Sequence, residues 1–215
     1  MEEALRLHHE ELTVYEELGD RRSRAVTLGD IARIRVDKGE VEEALRLHHE
    51  ELTVYEELGD RRSRAVTLGD IARIRVSKGE VEEALRLHHE RLAVFEELGD
   101  RRSRAVTLGD IARIRVSKGE VEEALRLHLE MLAVFEELGD RRSRAVTLGD
   151  IARIRVDKGE VEEALRLHHE RLAVFEELGD RRSRAVTLGD IARIRVSKGE
   201  VEEALRLHHE RLAVF

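Results

Sequence analysis

The sequence contains no cysteine, no proline and no tryptophan, and aromatic residues make up only 3% of its 215 positions. Without cysteine there can be no disulfide, no thiolate nucleophile and no cysteine-ligated zinc. That fits a reducing compartment, and the expected location is cytoplasmic. No apolar run approaches membrane-spanning length, and Met1-Glu2-Glu3 lacks the basic and apolar regions of a signal peptide, so no membrane partner is expected. The formal net charge of −8 lacks the basic footprint of a nucleic-acid binder. With so few aromatics, the 41% hydrophobic content has to build an aliphatic core of Leu, Val, Ile and Ala.

What the sequence does have is repetition. The stretch from Gly79 to Lys118 recurs along the whole chain with few changes, and a fixed period of this size signals a solenoid or array of small units. Gly19-Asp20 returns every forty residues through Gly179-Asp180, and each pair reads as a helix stop followed by a start. Glycine supplies the left-handed C-terminal conformation, and aspartate accepts the free amide hydrogens of the next helix. A second break, Lys38-Gly39-Glu40, returns through Lys198-Gly199-Glu200. Between these marks the spacing predicts two kinds of helix, A (Arg21 to Lys38 and its copies) and B (Glu40 to Leu58 and its copies). Five A and six B helices make eleven in one domain over 1–215. Residues 1–18 form an unpaired B helix, 21–58, 61–98, 101–138 and 141–178 are the repeats, and 181–215 is the last, truncated one.

At 100° per residue, Val41, Ala44, Leu45, His48, Leu52, Tyr55 and Leu58 form an apolar stripe on helix B, widened by Leu47 and Val54. On helix A the stripe is Ala25, Leu28, Gly29, Ile31, Ala32 and Val36, whose small residues admit a close helix neighbour. One hairpin cannot bury both arcs, so the hairpins are expected to stack.

The run from Arg24 through Ala25, Leu28, Gly29 and Ala32, followed by Gly39 and Glu42-Glu43-Ala44-Leu45, resembles the tetratricopeptide repeat family in its longer, forty-residue form. The resemblance covers essentially the whole chain. It departs at Leu28, where the short form prefers Trp, at Arg35 (Tyr), at His48 (an aromatic) and at Glu51 or Arg91 (Ala), and no proline closes helix B. The resemblance implies an all-α fold, an α-solenoid of antiparallel helical hairpins wound as a right-handed superhelix. It also implies a concave groove, lined mostly by A helices, that binds extended peptides or partner helices.

Arg22, Val26, Asp30, Arg33 and residue 37 share the face of helix A opposite its packed stripe, the face that the resemblance points into the groove. Asp30–Arg33 and Arg33–Asp37 have spacings at which helical side chains meet. Residue 37 is Asp in two units and Ser in three (Ser77, Ser117, Ser197), and beside Ser the arginine has one local partner fewer. The candidate groove residues in later copies are therefore Arg62 and Arg73, Arg102 and Arg113, Arg142 and Arg153, and Arg182 and Arg193. The ladder from Arg33 to Arg193 is suited to acidic or C-terminal peptide segments, possible bidentate partners of guanidinium; read plainly, it is a solvated run of ion pairs. The family's peptide clamp uses Asn beside Lys and Arg and cannot be carried over, because the chain has no Asn. Arg21, Arg24 and Arg35 flank the packed stripe and are expected to pair with Glu from B helices.

The adjacent histidines, His48-His49 and their copies, diverge by 100° and cannot chelate one metal as residues four apart could. They are expected to be structural; bridging of a metal between B helices and pH sensing are the alternatives. Serine occurs only as Ser23 and Ser77 and their copies, so no Ser–His–acid set is encoded locally, and no glycine loop is left over for phosphate. Neither an enzyme nor a cofactor is expected. Leu5, Leu12 and Tyr15 at one end, and Leu205, Leu212 and Phe215 at the other, should lack neighbours, which gives a second reading: a structural module that self-associates, as a homo-oligomer, through its terminal helices. Leu129 and Met131 replace His and Arg in one unit, a grouped drift that looks like tandem duplication.

Overall fold

Helix breaks spaced this regularly leave the backbone little choice. The computed structural model describes residues 1–214, and its described residues form eleven α-helices and no strand. The B-type helices are α1 (Glu2–Leu18), α3 (Val41–Glu57), α5 (Val81–Glu97), α7 (Val121–Glu137), α9 (Val161–Glu177) and α11 (Val201–Ala213). The A-type helices are α2 (Arg21–Asp37), α4 (Arg61–Ser77), α6 (Arg101–Ser117), α8 (Arg141–Asp157) and α10 (Arg181–Ser197). Each falls within a residue or two of the predicted bounds, Glu40 and Leu58 becoming caps rather than members of α3.

Chemistry at the junctions explains this precision of placement. Gly59 has φ +65°, and the Asp60 amide donates to the Tyr55 carbonyl at 2.9 Å, closing a Schellman-type turn. The Asp60 carboxylate then accepts the Ser63 amide at 3.0 Å, capping α4. Asp20, Asp100, Asp140 and Asp180 cap their helices in the same way. The amide hydrogen of Ser183, then burial opposing it, leaves the Asp180 carboxyl below its usual range.

Two compact units divide the chain, Met1–Thr107 and the part from Leu108 onward. In the first, Leu28, Ile31 and Ala32 of α2 meet Ala44, Leu45 and Leu47 of α3 and Ile71 and Ile74 of α4. In the second, Phe135 and Phe175 are among the most deeply buried side chains, and Ala185, Leu188 and Val214 cluster with Leu172 and Leu207. Truncating such a residue to Ala costs about 2–5 kcal/mol. The α2–α3 hairpin is antiparallel and tied at both ends. Arg21, at the start of α2, pairs with Glu57, at the end of α3, and Arg35 at the other end pairs with Glu40.

Three expectations are corrected. Val36 was placed in the packed stripe but is exposed: it lies in the last turn of α2, where a cleft opens beside it. Leu58 is also exposed, because as the C-cap it follows the last helical turn. Leu5, expected to lack neighbours, is 4% exposed because α1 packs on α2 and contributes Leu5 to the first core.

Candidate functional site

The polar face of helix A contains two kinds of arginine. Arg22 reaches the capping carboxylate of the next A helix, Asp60, at 2.6 Å, and Arg62–Asp100 and Arg142–Asp180 repeat this at 2.7 Å. Arg102 and Arg182 hold the same position on α6 and α10. Arg22, Arg62 and Arg142 therefore fasten one A helix to the next. Arg33, in contrast, pairs within its own helix with Asp30, as do Arg73 with Asp70, Arg113 with Asp110, Arg153 with Asp150 and Arg193 with Asp190. These five guanidiniums stay more than half exposed. Val26 is exposed between the two kinds. The hydroxyls of Ser77, Ser117 and Ser197 donate to carbonyls three residues back, at 2.7 Å.

Arg24 serves the architecture. It pairs with Glu16 of α1 and Glu50 of α3, and Arg64, Arg144 and Arg184 do the same for their neighbours. Lys38, Lys78, Lys158 and Lys198 reach back to the preceding B helix, as in Lys78–Glu42 at 2.7 Å. Exposed pairs of this kind are screened by solvent, so together they set register more than stability.

Between α2 and α4, and again between α8 and α10, the second kind of arginine borders a cleft. In the first unit Arg33 and Asp37 of α2 face Asp70, Arg73 and Ser77 of α4 across a space of about 450 Å³, and His48 of α3 lies at its floor. Val36 and Ile74 make the apolar part of the wall. The second unit builds the same cleft, of about 340 Å³, from Arg153, Asp157, Asp190, Arg193 and Ser197 over His168. All the lining positions carry identical residues in the two clefts.

The floor histidines are almost wholly buried, at 1% exposure. Behind each lies the B-helix residue three positions on, and it differs between the two clefts. Glu51 lies over Gly29, and the Nδ1–H of His48 donates to its carboxylate at 2.8 Å. Arg171 lies over Gly149, donates to Asp190 of α10 at 3.0 Å, and places its guanidinium 5.5 Å from the centre of the Phe175 ring. Glycine is needed on helix A because a Cβ at position 149 would lie 2.7 Å from the Arg171 guanidinium. The Nδ1 atom of His168 is buried without a hydrogen-bond partner. Burial first, then the charges of Arg171, Arg153 and Arg193 against the opposing Asp190, push its pKa down to about 4, so the ring is neutral near pH 7. Tyr55, beside Glu51, is pushed up by burial and by the Glu51 charge.

The Nδ1–H of His49 donates to the Leu45 carbonyl, 2.6 Å away, so the ring is tied to its own helix. No group of three or more His, Asp or Glu among the described residues is placed to hold a metal ion. Nor is any described helix long and apolar enough to cross a membrane. At the chain ends Leu205 and Leu212 are 53% and 71% exposed, Leu12 and Tyr15 are half-buried, and Phe215 lies outside the described residues. The sequence reading identified the arginines but missed the cleft's floor. The available signal was that histidine recurs at position 48 in every copy, even where its neighbour becomes Leu129.

A sequence profile described as tetratricopeptide repeat matches residues 23–97, 63–137, 103–177 and 143–215. No curated protein matches the chain in sequence. Among solved structures, BtubC (BKLC) from P. vanneervenii is similar with a TM-score of 0.86 and 17% identity, covering 99% of this chain and 90% of that one. The nearly identical TPR-like repeats of a putative kinesin light chain from Podosopora anserina give 0.70 at 24% identity, covering 90% and 95%. A Rap protein complexed with competence and sporulation factor gives 0.75 at 13% identity, covering 98% and 64%. At these identities the likeness is one of fold, an α-solenoid of antiparallel helical hairpins.

Proposed function

The chain belongs to the tetratricopeptide repeat family, and from that premise we propose that it is a non-enzymatic scaffold that binds extended protein segments or partner helices along its A helices. Acidic side chains of the bound segment engage the arginines that border the clefts. The observation that carries this reading is the recurrence, in both units, of one cleft with two exposed guanidiniums over a buried imidazole. Guanidinium presents parallel donors that match a carboxylate, and a cleft part apolar and part polar suits a side chain with an aliphatic stem. The Rap protein solved with competence and sporulation factor lends the fold a precedent for holding such a partner.

The test is a titration of acidic peptides at low and high salt into the intact chain and into the double variant Arg153→Gln/Arg193→Gln. Binding that weakens with salt and falls in the variant is expected. Absence of binding, or binding indifferent to both changes, would overturn the reading.

A second reading is self-association through α1 and α11. Leu205 is 53% exposed where its copy Leu165 is 4% exposed. Light scattering across a range of concentrations tests it, and a mass constant at one chain would exclude it.

A further inference from the structure

The two clefts constitute a comparison made within one molecule. From Ile31 to Lys78 and from Ile151 to Lys198 the sequences differ at three positions only: Glu51, Thr53 and Tyr55 in the first are Arg171, Ala173 and Phe175 in the second. None of the three is a lining residue, yet one of them reverses a charge directly behind the floor histidine.

We propose that this hidden residue sets which charge each cleft accepts: the cleft over His48 and Glu51 takes a cationic Lys or Arg side chain, and the cleft over His168 and Arg171 takes an acidic one. The proposal rests on the groove-binding reading and refines it, because it exempts the first cleft from the preference for acidic side chains.

The argument begins with the imidazole. Neutral histidine carries one proton on two nitrogens, and the hydrogen bond made by one nitrogen fixes the role of the other. Against the Glu51 carboxylate, His48 donates from Nδ1, which leaves Nε2 as an acceptor. A bound ammonium or guanidinium can donate to that acceptor. In the second cleft nothing accepts from Nδ1 of His168, and a guanidinium stands behind it. A positive charge there favours the lone pair on Nδ1 and the proton on Nε2, which makes the ring a donor suited to a carboxylate.

The charges around each ring favour the same assignment. Around His48, Arg33 and Arg73 face Asp37, Asp70 and, from behind, Glu51. Asp70 draws on both arginines, with Arg73 at 2.9 Å and Arg33 at 3.7 Å. The rim of the His168 cleft carries the same charges, with Arg153 and Arg193 beside Asp157 and Asp190, but Arg171 stands where Glu51 stands in the first and pairs with Asp190 from beneath. Exchanging Glu51 for Arg171 makes the second set more positive than the first by two formal charges. Low local dielectric makes a charge behind the floor felt more strongly at the cleft than one on the rim.

The experiment uses the full chain labelled with ¹⁵N at histidine. Imidazole NMR near pH 7 should report His48 protonated at Nδ1 and His168 protonated at Nε2. N-acetyl-lysine N-methylamide should shift the His48 ring and leave His168 unmoved, and N-acetyl-glutamate N-methylamide should do the reverse. Glu51→Arg and Arg171→Glu should exchange the preferences, each changing the ratio of the two probe affinities at its cleft by about tenfold. Both residues already occur at this position over a glycine, so neither variant introduces an unfamiliar side chain. The same tautomer at both rings, a shared probe preference, exchanges that leave preference unchanged, or no response to either probe would each overturn the proposal. The groove reading falls separately, if acidic peptides fail to bind or ignore the loss of Arg153 and Arg193.

Discussion

The glycines buried within the A helices allow a prediction of opposite sign for one substitution made in two places. A Cβ at Gly149 would lie 2.7 Å from Nη1 and 2.8 Å from Cζ of Arg171. That side chain is buried, bonded to Asp190 and stacked over Phe175, so it cannot yield without losing both contacts. A Cβ at Gly189 would lie 3.0 Å from Nη1 of Arg211 and 3.4 Å from its Cζ, and Arg211 is exposed and free to swing aside. Replacing glycine with alanine inside a helix gains about 1 kcal/mol in propensity at either site. Against this, overfilling a packed site costs about 1–3 kcal/mol, and disturbing the cation–π contact adds about 0.5–2 kcal/mol. Gly149→Ala should therefore destabilise α8 by about 1–3 kcal/mol, while Gly189→Ala should stabilise α10 by about 0.5–1 kcal/mol. Native-state hydrogen exchange read helix by helix is the suitable assay, since an array of repeats opens locally and a single melting midpoint would average the two. Two changes of the same sign would refute the claim that Gly149 is there to admit Arg171.

Three other outcomes follow from the structure. His168 has its pKa depressed to about 4 in the folded protein against about 6.5 unfolded, so its contribution is full above pH 6.5 and is lost as pH falls towards 4, by on the order of 3 kcal/mol. The stability advantage of wild type over His168→Leu should shrink by that amount between pH 7 and pH 4, and a difference constant with pH would contradict the assignment. Asp60→Ala should cost about 1 kcal/mol in urea unfolding through loss of the α4 cap, and Asp60→Asn, which keeps an accepting oxygen for Ser63, should cost clearly less; equal costs would mean that the Arg22–Asp60 pair, not the cap, dominates. Gly59→Ala, at φ +65° with open space around it, should destabilise by about 1 kcal/mol from backbone strain alone, measured in the same way.

The helices were legible because their ends are written in local chemistry. Gly59 and Asp60 specify a left-handed stop and an amide-accepting start within two residues, and no tertiary information is required to read them. The faces were mostly legible for the same reason: Ala25, Leu28, Ile31 and Ala32 follow the helical period and are buried. Val36 and Leu58 follow it too and are exposed, because periodicity assigns a face but says nothing about where a helix outruns its neighbour. The cleft was legible only at its rim. Arg33 and Asp30 are neighbours on one helix, whereas His48 reaches the floor, and Glu51 its underside, through the crossing of three helices. That crossing is encoded by Gly29, whose missing side chain looked in sequence like a general allowance for close packing. The structure makes it a seat for one residue.

That hairpins within each unit offer their neighbours nearly the same contacts has a kinetic consequence. The ties between helices, Arg24 with Glu16 and Glu50, Lys78 with Glu42 and Arg62 with Asp100, recur along the chain with equivalent partners. A hairpin displaced by forty residues would find a nearly equivalent mate, whether in its own chain or in another. Native order is then favoured chiefly by chain connectivity, which brings adjacent hairpins together first at low loop-closure cost. Refolding from dilute solution should follow that order, whereas refolding from concentrated solution should trap exchanged hairpins between chains, the characteristic misassembly of near-identical modules.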